Sequence, residues 1–172
     1  MKKLIYLIVL VFIITACEDR DHPKPDYIVY TEINDTVNVS ESDTLYNDLI
    51  FNISNDSDGL HAYIINFDYT DMLGVFYYSF LIVDDKDAIL ILNKNDTINS
   101  SKEWKTGVKK LYLDQFAGKG EKYIGYCDRT DVPQYCYGWI KISLSTDKKT
   151  LLIISRAINK AKENAILAGQ ME

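Results

Sequence analysis

From Tyr27 onward, short apolar or alternating segments recur about every ten residues, separated by clusters of Asn, Asp, Ser and Gly. That rhythm leaves little room for helices of ordinary length, and none for strand–helix–strand units. Strands are predicted at 28–33, 36–39, 49–53, 62–68, 75–83, 88–92, 110–113, 122–127, 135–145 and 150–154. Turns are predicted at Asn34-Asp35, Asn55–Gly59, Asp84–Asp87, Asn93–Asp96, Gly118–Gly120 and Thr146–Lys149. Within 62–69, Tyr63, Ile65, Phe67 and Tyr69 share one face, opposite Ala62, Ile64, Asn66 and Asp68. The run Val75–Val83 is apolar on both faces apart from Ser79, which predicts a central strand. The expected fold is all-β: one antiparallel β-sandwich domain over residues 27–172, large enough to bury roughly two-thirds of its unfolded surface. The tail is ambiguous. Lys160–Ala165 has helix propensity, whereas Ala165–Gly169 reads as a last edge strand.

The N-terminus obeys different rules. Lys2 and Lys3 precede a charge-free run, Leu4–Thr15, of 12 residues. A membrane-spanning helix needs about 20 apolar residues, so this run fits the core of a secretory signal peptide. It ends Ile14-Thr15-Ala16-Cys17. This motif resembles the lipobox of bacterial lipoproteins. The resemblance implies cleavage after residue 16 and lipidation of Cys17, whose thiol forms the thioether. Two or three acyl chains anchor stably where one would be marginal. The implied location is the cell envelope, anchored to the outer membrane through the lipid on Cys17. Acidic Glu18 and Asp19 directly after the cysteine resemble a signal that places some lipoproteins on the outer face of that membrane. Residues 17–26 are charged, contain Pro23 and Pro25 and lack large apolar side chains, so they read as an extended tether of at most ~30 Å.

Charge narrows the partners. Without residues 1–16 the chain has 17 basic and 25 acidic side chains, which argues against nucleic acid. Residues 18–85 hold 15 acidic and 2 basic side chains, while residues 86–172 hold 10 and 15. Opposite-sign surfaces attracting each other within one domain account for this asymmetry, and so does a bipolar partner surface.

With Cys17 lipidated, Cys127 and Cys136 remain, in a compartment where disulfides form. If they face each other across a hairpin, Gly125 faces Gly138, Tyr126 faces Tyr137 and Ile124 faces Trp139. This agreement favours a Cys127–Cys136 disulfide over two buried thiols or a redox pair. The register points Cys136, Gly138, Ile140, Ile142 and Leu144 to the core. It gathers Tyr126, Tyr135, Tyr137 and Trp139 on the other face, as a contact patch for a glycan or protein unless another segment covers it. The stretch Tyr123-Ile124-Gly125 … Tyr137-Gly138-Trp139-Ile140-Lys141-Ile142, with Ala165–Gly169, resembles a C-terminal β module of secreted and lipid-anchored bacterial proteins. That module carries no assigned activity.

No catalytic residue, metal site or cofactor is predicted. Asp56, Asp58 and Gly59 sit at calcium-loop spacing, but Ser54 and Ile65 fall where the other charged ligands belong, leaving an Asx-rich turn. His61 has no ligand partners at metal spacing, and neither a nucleophile elbow nor a phosphate-cradling glycine loop occurs. Asp35-Thr36-Val37, Asp43-Thr44-Leu45 and Asp96-Thr97-Ile98 resemble O-glycosylation acceptors of some exported bacterial proteins, and also read as ordinary turn-to-strand sequence. The expected function is a lipid-anchored envelope protein with a binding or structural role. The alternative is an envelope glycan hydrolase working through paired carboxylates.

Overall fold

The computed structural model describes residues 27–39, 44–47, 51–67, 76–78, 80–131 and 134–172. The segments predicted as signal peptide and tether lie outside the described residues, as do Cys17, Asp43, Leu49, Val75, Ser79 and Pro133. The chain is all-β, with antiparallel sheets packed against each other, as its turn spacing predicts. In chain order the strands are β1 (Ile28–Asn38), β2 (Thr44–Asn47), β3 (Phe51–Asp56), β4 (Gly59–Phe67), β5 (Phe76–Tyr78), β6 (Phe80–Ile82), β7 (Ile91–Leu92), β8 (Thr97–Ile98), β9 (Trp104–Lys105), β10 (Lys109–Lys110), β11 (Glu121–Asp131), β12 (Gln134–Leu144), β13 (Thr150–Asn159) and β14 (Ile166–Leu167). Among the described residues the helical element is a single 3-10 turn at Leu113–Gln115. No helix there is long and apolar enough to cross a membrane.

A seven-stranded sheet runs β1-β13-β12-β11-β6-β9, with β7 also paired to β11. A five-stranded sheet runs β10-β4-β3-β2, with β5 paired to β4. Between them lies the main core, where Ile124, Tyr126, Ile140, Ile142, Leu144, Leu151 and Ile153 meet Phe51, Ile53, Leu60 and Ala62. The expected central strand at 75–83 is instead divided. β5 pairs with β4 in one sheet and β6 pairs with β11 and β9 in the other.

The large sheet is buried on its second face too. There Tyr123, Cys127, Tyr137, Trp139 and Ala157 pack against Ile98, Ile166 and Ala168. The cover is a two-stranded ribbon, β8 with β14, in which Ile166 pairs with Ile98. The tail thus takes the edge-strand alternative. Trp139 Nε1 donates to Gln170 O at 3.0 Å, fastening the tail over the indole.

The β11–β12 hairpin departs by one residue from the expected register. Asp128 faces Cys136, Cys127 faces Tyr137, Tyr126 faces Gly138 and Gly125 faces Trp139. An irregularity between Asp128 and Asp131 accommodates the slip at the tip. Because side chains alternate, one residue is enough to send Cys127 and Cys136 to opposite faces. Both cysteines are buried as thiols, so the expected disulfide is not formed. The physical reason is steric. Each glycine sits opposite an aromatic residue rather than opposite the other glycine. A Cβ on Gly138 would lie 2.5 Å from Tyr126 Cζ and 2.6 Å from Ala157 O.

Bulges set the remaining faces. The β1–β13 ladder shifts between Glu32 and Asp35, where Asn34 adopts φ 56°, and the β12–β13 ladder shifts between Lys141 and Ile142. After the second shift, Leu151 and Ile153 belong to the main core while Ala157 belongs to the other face. The Asx-rich turn is a two-residue hairpin closed by Asp56 and Gly59, with Gly59 at φ 108° and Asp56 Oδ1 accepting from Asp58 N at 2.8 Å.

Candidate functional site

The ribbon does not cover the second face to its end. Past Trp139, toward the β11–β12 hairpin tip, a cavity of about 500 Å³ opens between the sheet and the polar loops beside it. Its described lining is Phe80 from β6, Cys127 from β11, Tyr135 and Tyr137 from β12, Trp104 from β9, Ser100 from the β8–β9 loop and Glu163 from the β13–β14 turn. The sheet positions the first four, since Phe80 is paired with Cys127 and Cys127 with Tyr137 across adjacent strands.

The rings are held in pairs. Trp104 stacks on Tyr137 with centroids 5.6 Å apart and planes at 26°. Phe80 meets Tyr135 edge to face at 6.1 Å and 89°. Trp104 Nε1 donates to Asn99 O at 3.0 Å, tying the indole to its own loop. These arrangements suit the charge distribution of aromatic rings, negative on the face and positive at the edge.

Glu163 is fixed by backbone rather than by packing. Its N donates to Tyr135 O at 2.8 Å, and its Oε1 accepts from Tyr135 N at 2.8 Å. Tyr137 Oη donates to Glu163 Oε2 at 3.4 Å. The residue adopts φ 61°, a left-handed conformation uncommon for a residue with a Cβ. The two bonds to Tyr135 hold it there and present the carboxylate at the rim.

The protonation states follow from burial. Burial, reinforced by the nearby Glu163 charge, pushes the Tyr137 phenol up to about 12. It therefore remains a donor to the carboxylate. Burial also pushes the Cys127 thiol up to about 12, against a smaller opposing bond from the Phe80 backbone. The thiolate is the nucleophilic form, so this cysteine is an inert, apolar part of the floor.

The predicted aromatic patch is thus divided. Tyr135 and Tyr137 line the cavity. Tyr126 points into the main core over Gly138, and Trp139 is fully buried beneath the tail, edge to face with Tyr123 at 5.5 Å. The patch as a continuous exposed surface does not exist, because the register slip turns Tyr126 over and the ribbon covers Trp139. Phe80, Ser100, Trp104 and Glu163 were not foreseen. Only Trp104, a lone indole in the polar segment 100–105, gave any signal.

Among the described residues no group of three or more His, Cys, Asp or Glu is placed to hold a metal ion. His61 Nε2 lies 3.2 Å from Asp56 Oδ1 within the β3–β4 hairpin. Hydrolysis by paired carboxylates requires a second acid about 5–10 Å from the first, and Glu163 is the one carboxylate among the described lining residues. Compared with known protein families, curated proteins and solved structures, the chain matches none.

Proposed function

We propose that this chain is a lipid-anchored protein of the cell envelope with a binding role, and that the aromatic cleft is its ligand site. The anchor is supported by Ile14-Thr15-Ala16-Cys17 following a charge-free run of 12 residues. Acylated Cys17 and the tether of residues 17–26 would hold the β domain close to the outer membrane. The observation that carries the binding role is the cleft itself, at about 500 Å³ with Phe80, Trp104, Tyr135 and Tyr137 as its aromatic residues. Small-molecule sites typically enclose about 300–1,000 Å³, with apolar walls and a few fixed polar groups. Here the polar groups are Glu163, Ser100 and the Tyr137 hydroxyl.

One preparation tests both halves. Protein extracted from its own membranes is analysed by mass spectrometry, denatured and native. The denatured spectrum is expected to give a chain beginning at acylated Cys17. The native spectrum is expected to give a bound small molecule that Trp104→Ala loses. An unmodified Cys17 behind an intact signal peptide refutes the anchor. A wild-type protein without any bound species, or one retained equally by the variant, refutes the cleft.

A further inference from the structure

Resting on the reading of the cleft as a ligand site, we infer that its occupant is a small organic cation, an alkylated ammonium group held among the rings and balanced by Glu163. Four aromatic residues converge on the cavity, and the described lining holds one full negative charge and no lysine or arginine. Both Glu163 oxygens accept bonds from neutral donors, Tyr135 N–H at 2.8 Å and Tyr137 O–H at 3.4 Å. Those bonds orient the carboxylate without neutralising it. A cation entering the cleft supplies the missing charge and gains from ring faces, an arrangement used to recognise quaternary ammonium groups.

The competing ligand chemistries fit less well. A sugar stacks on an aromatic ring but must replace the water bonds of several hydroxyls, and an unreplaced bond is costly. The polar side chains of the lining are Ser100, the Tyr135 hydroxyl, and a Tyr137 hydroxyl and Glu163 carboxylate already bonded to each other. An anion would meet Glu163 with no opposing charge. The mature chain, with 25 acidic against 17 basic side chains, also draws cations rather than anions toward its surface.

The test uses the full chain in an uncharged detergent, with tryptophan emission as readout. Trp104 is half-buried in the cleft, whereas Trp139 is sealed beneath the tail. Three probes are titrated: choline, its neutral isostere 3,3-dimethylbutanol, and methyl glucoside. Choline is expected to bind saturably, at least tenfold tighter than the isostere, and more weakly as salt rises. Glu163→Gln keeps an amide oxygen to accept Tyr135 N–H. It is expected to unfold at an unchanged midpoint and to bind choline no better than the isostere. If the isostere equals choline in the wild type, or methyl glucoside alone binds, the cationic ligand is refuted while the cleft remains a ligand site. If none of the three alters the emission, the inference and the ligand-site reading both fall. The wild-type comparison needs no variant, so the inference can be refuted even if Glu163→Gln fails to fold.

Discussion

At the residue scale, two glycines and a cysteine carry most of the information about the hairpin. Gly125 and Gly138 are both buried in the large sheet, but a side chain would meet different neighbours at each. At Gly125 it meets the terminal carbons of Ile82 and Leu92, which can rotate away. At Gly138 it meets the Ala157 carbonyl, which is backbone and cannot. Gly138→Ala is therefore expected to cost about 3 kcal/mol or more and Gly125→Ala about 1–2 kcal/mol, read from denaturant midpoints. Equal costs would mean that the Tyr126–Gly138 pairing is not what fixes the register. Cys127 makes a second prediction. Its thiol is raised from 9.0 to about 12, so the folded state keeps a proton that the unfolded state loses near 9. The unfolded chain then binds fewer protons, and stability is fully present below about pH 9 and falls as pH rises from 9 toward 12. Cys127→Ala should flatten the first part of this decline, while Tyr137, raised from 10.0 to about 12, still contributes to the rest. Denaturation midpoints from pH 8 to 11 check the difference between the two proteins. In native protein at pH 8, Cys127 and Cys136 should both resist alkylation and react on unfolding. An intact disulfide would overturn the register.

At the element scale, the sequence was clearest where alternation was regular and least clear where a bulge or a cover intervened. The prediction for β13 stopped at Ile154, where the β12–β13 register shifts and the strand's apolar residues change face. The strand itself continues to Asn159. β8 and β9 are two residues each, too short to display a period, and neither is among the predicted strands. The tail was left between helix and edge strand because the partner that decides it is non-local, Ile98 being far along the chain from Ile166. What holds the tail can be separated into packing and polar parts. Ile166 is fully buried, so Ile166→Ala is expected to cost about 2–4 kcal/mol. Asn159 is buried, donates through Nδ2 to Ala165 O at 3.2 Å and accepts at Oδ1 from Ala161 N at 2.9 Å. Asn159→Ala strands both backbone groups and should cost about 1–3 kcal/mol. Both variants should red-shift the emission of Trp139. A shift from neither would mean that the tail does not shield the indole in solution.

At the scale of the whole molecule, the lysine–carboxylate pairs among the described residues, Lys109–Asp87, Lys105–Glu103, Lys141–Glu121 and Lys148–Asp114, lie within the basic half of the chain. The architecture class was legible because turn spacing is a local signal. The cleft was not, because Phe80, Trp104, Tyr137 and Glu163 come from separate parts of the chain and meet through a register that the sequence predicts one residue out. The covered second face also constrains how the molecule unfolds. The two apolar clusters lie on opposite faces of the same strands, β11, β12 and β13, so unfolding of those strands dismantles both at once. Trp104 and Trp139 report the second cluster, whereas far-UV circular dichroism reports the sheets as a whole. One cooperative domain requires both signals to change at the same denaturant concentration. Coincident midpoints are expected in the wild type. A tryptophan transition well ahead of the dichroism would instead mean that the ribbon of β8 and β14 opens first, as a unit of lower stability, leaving the sandwich folded beneath it.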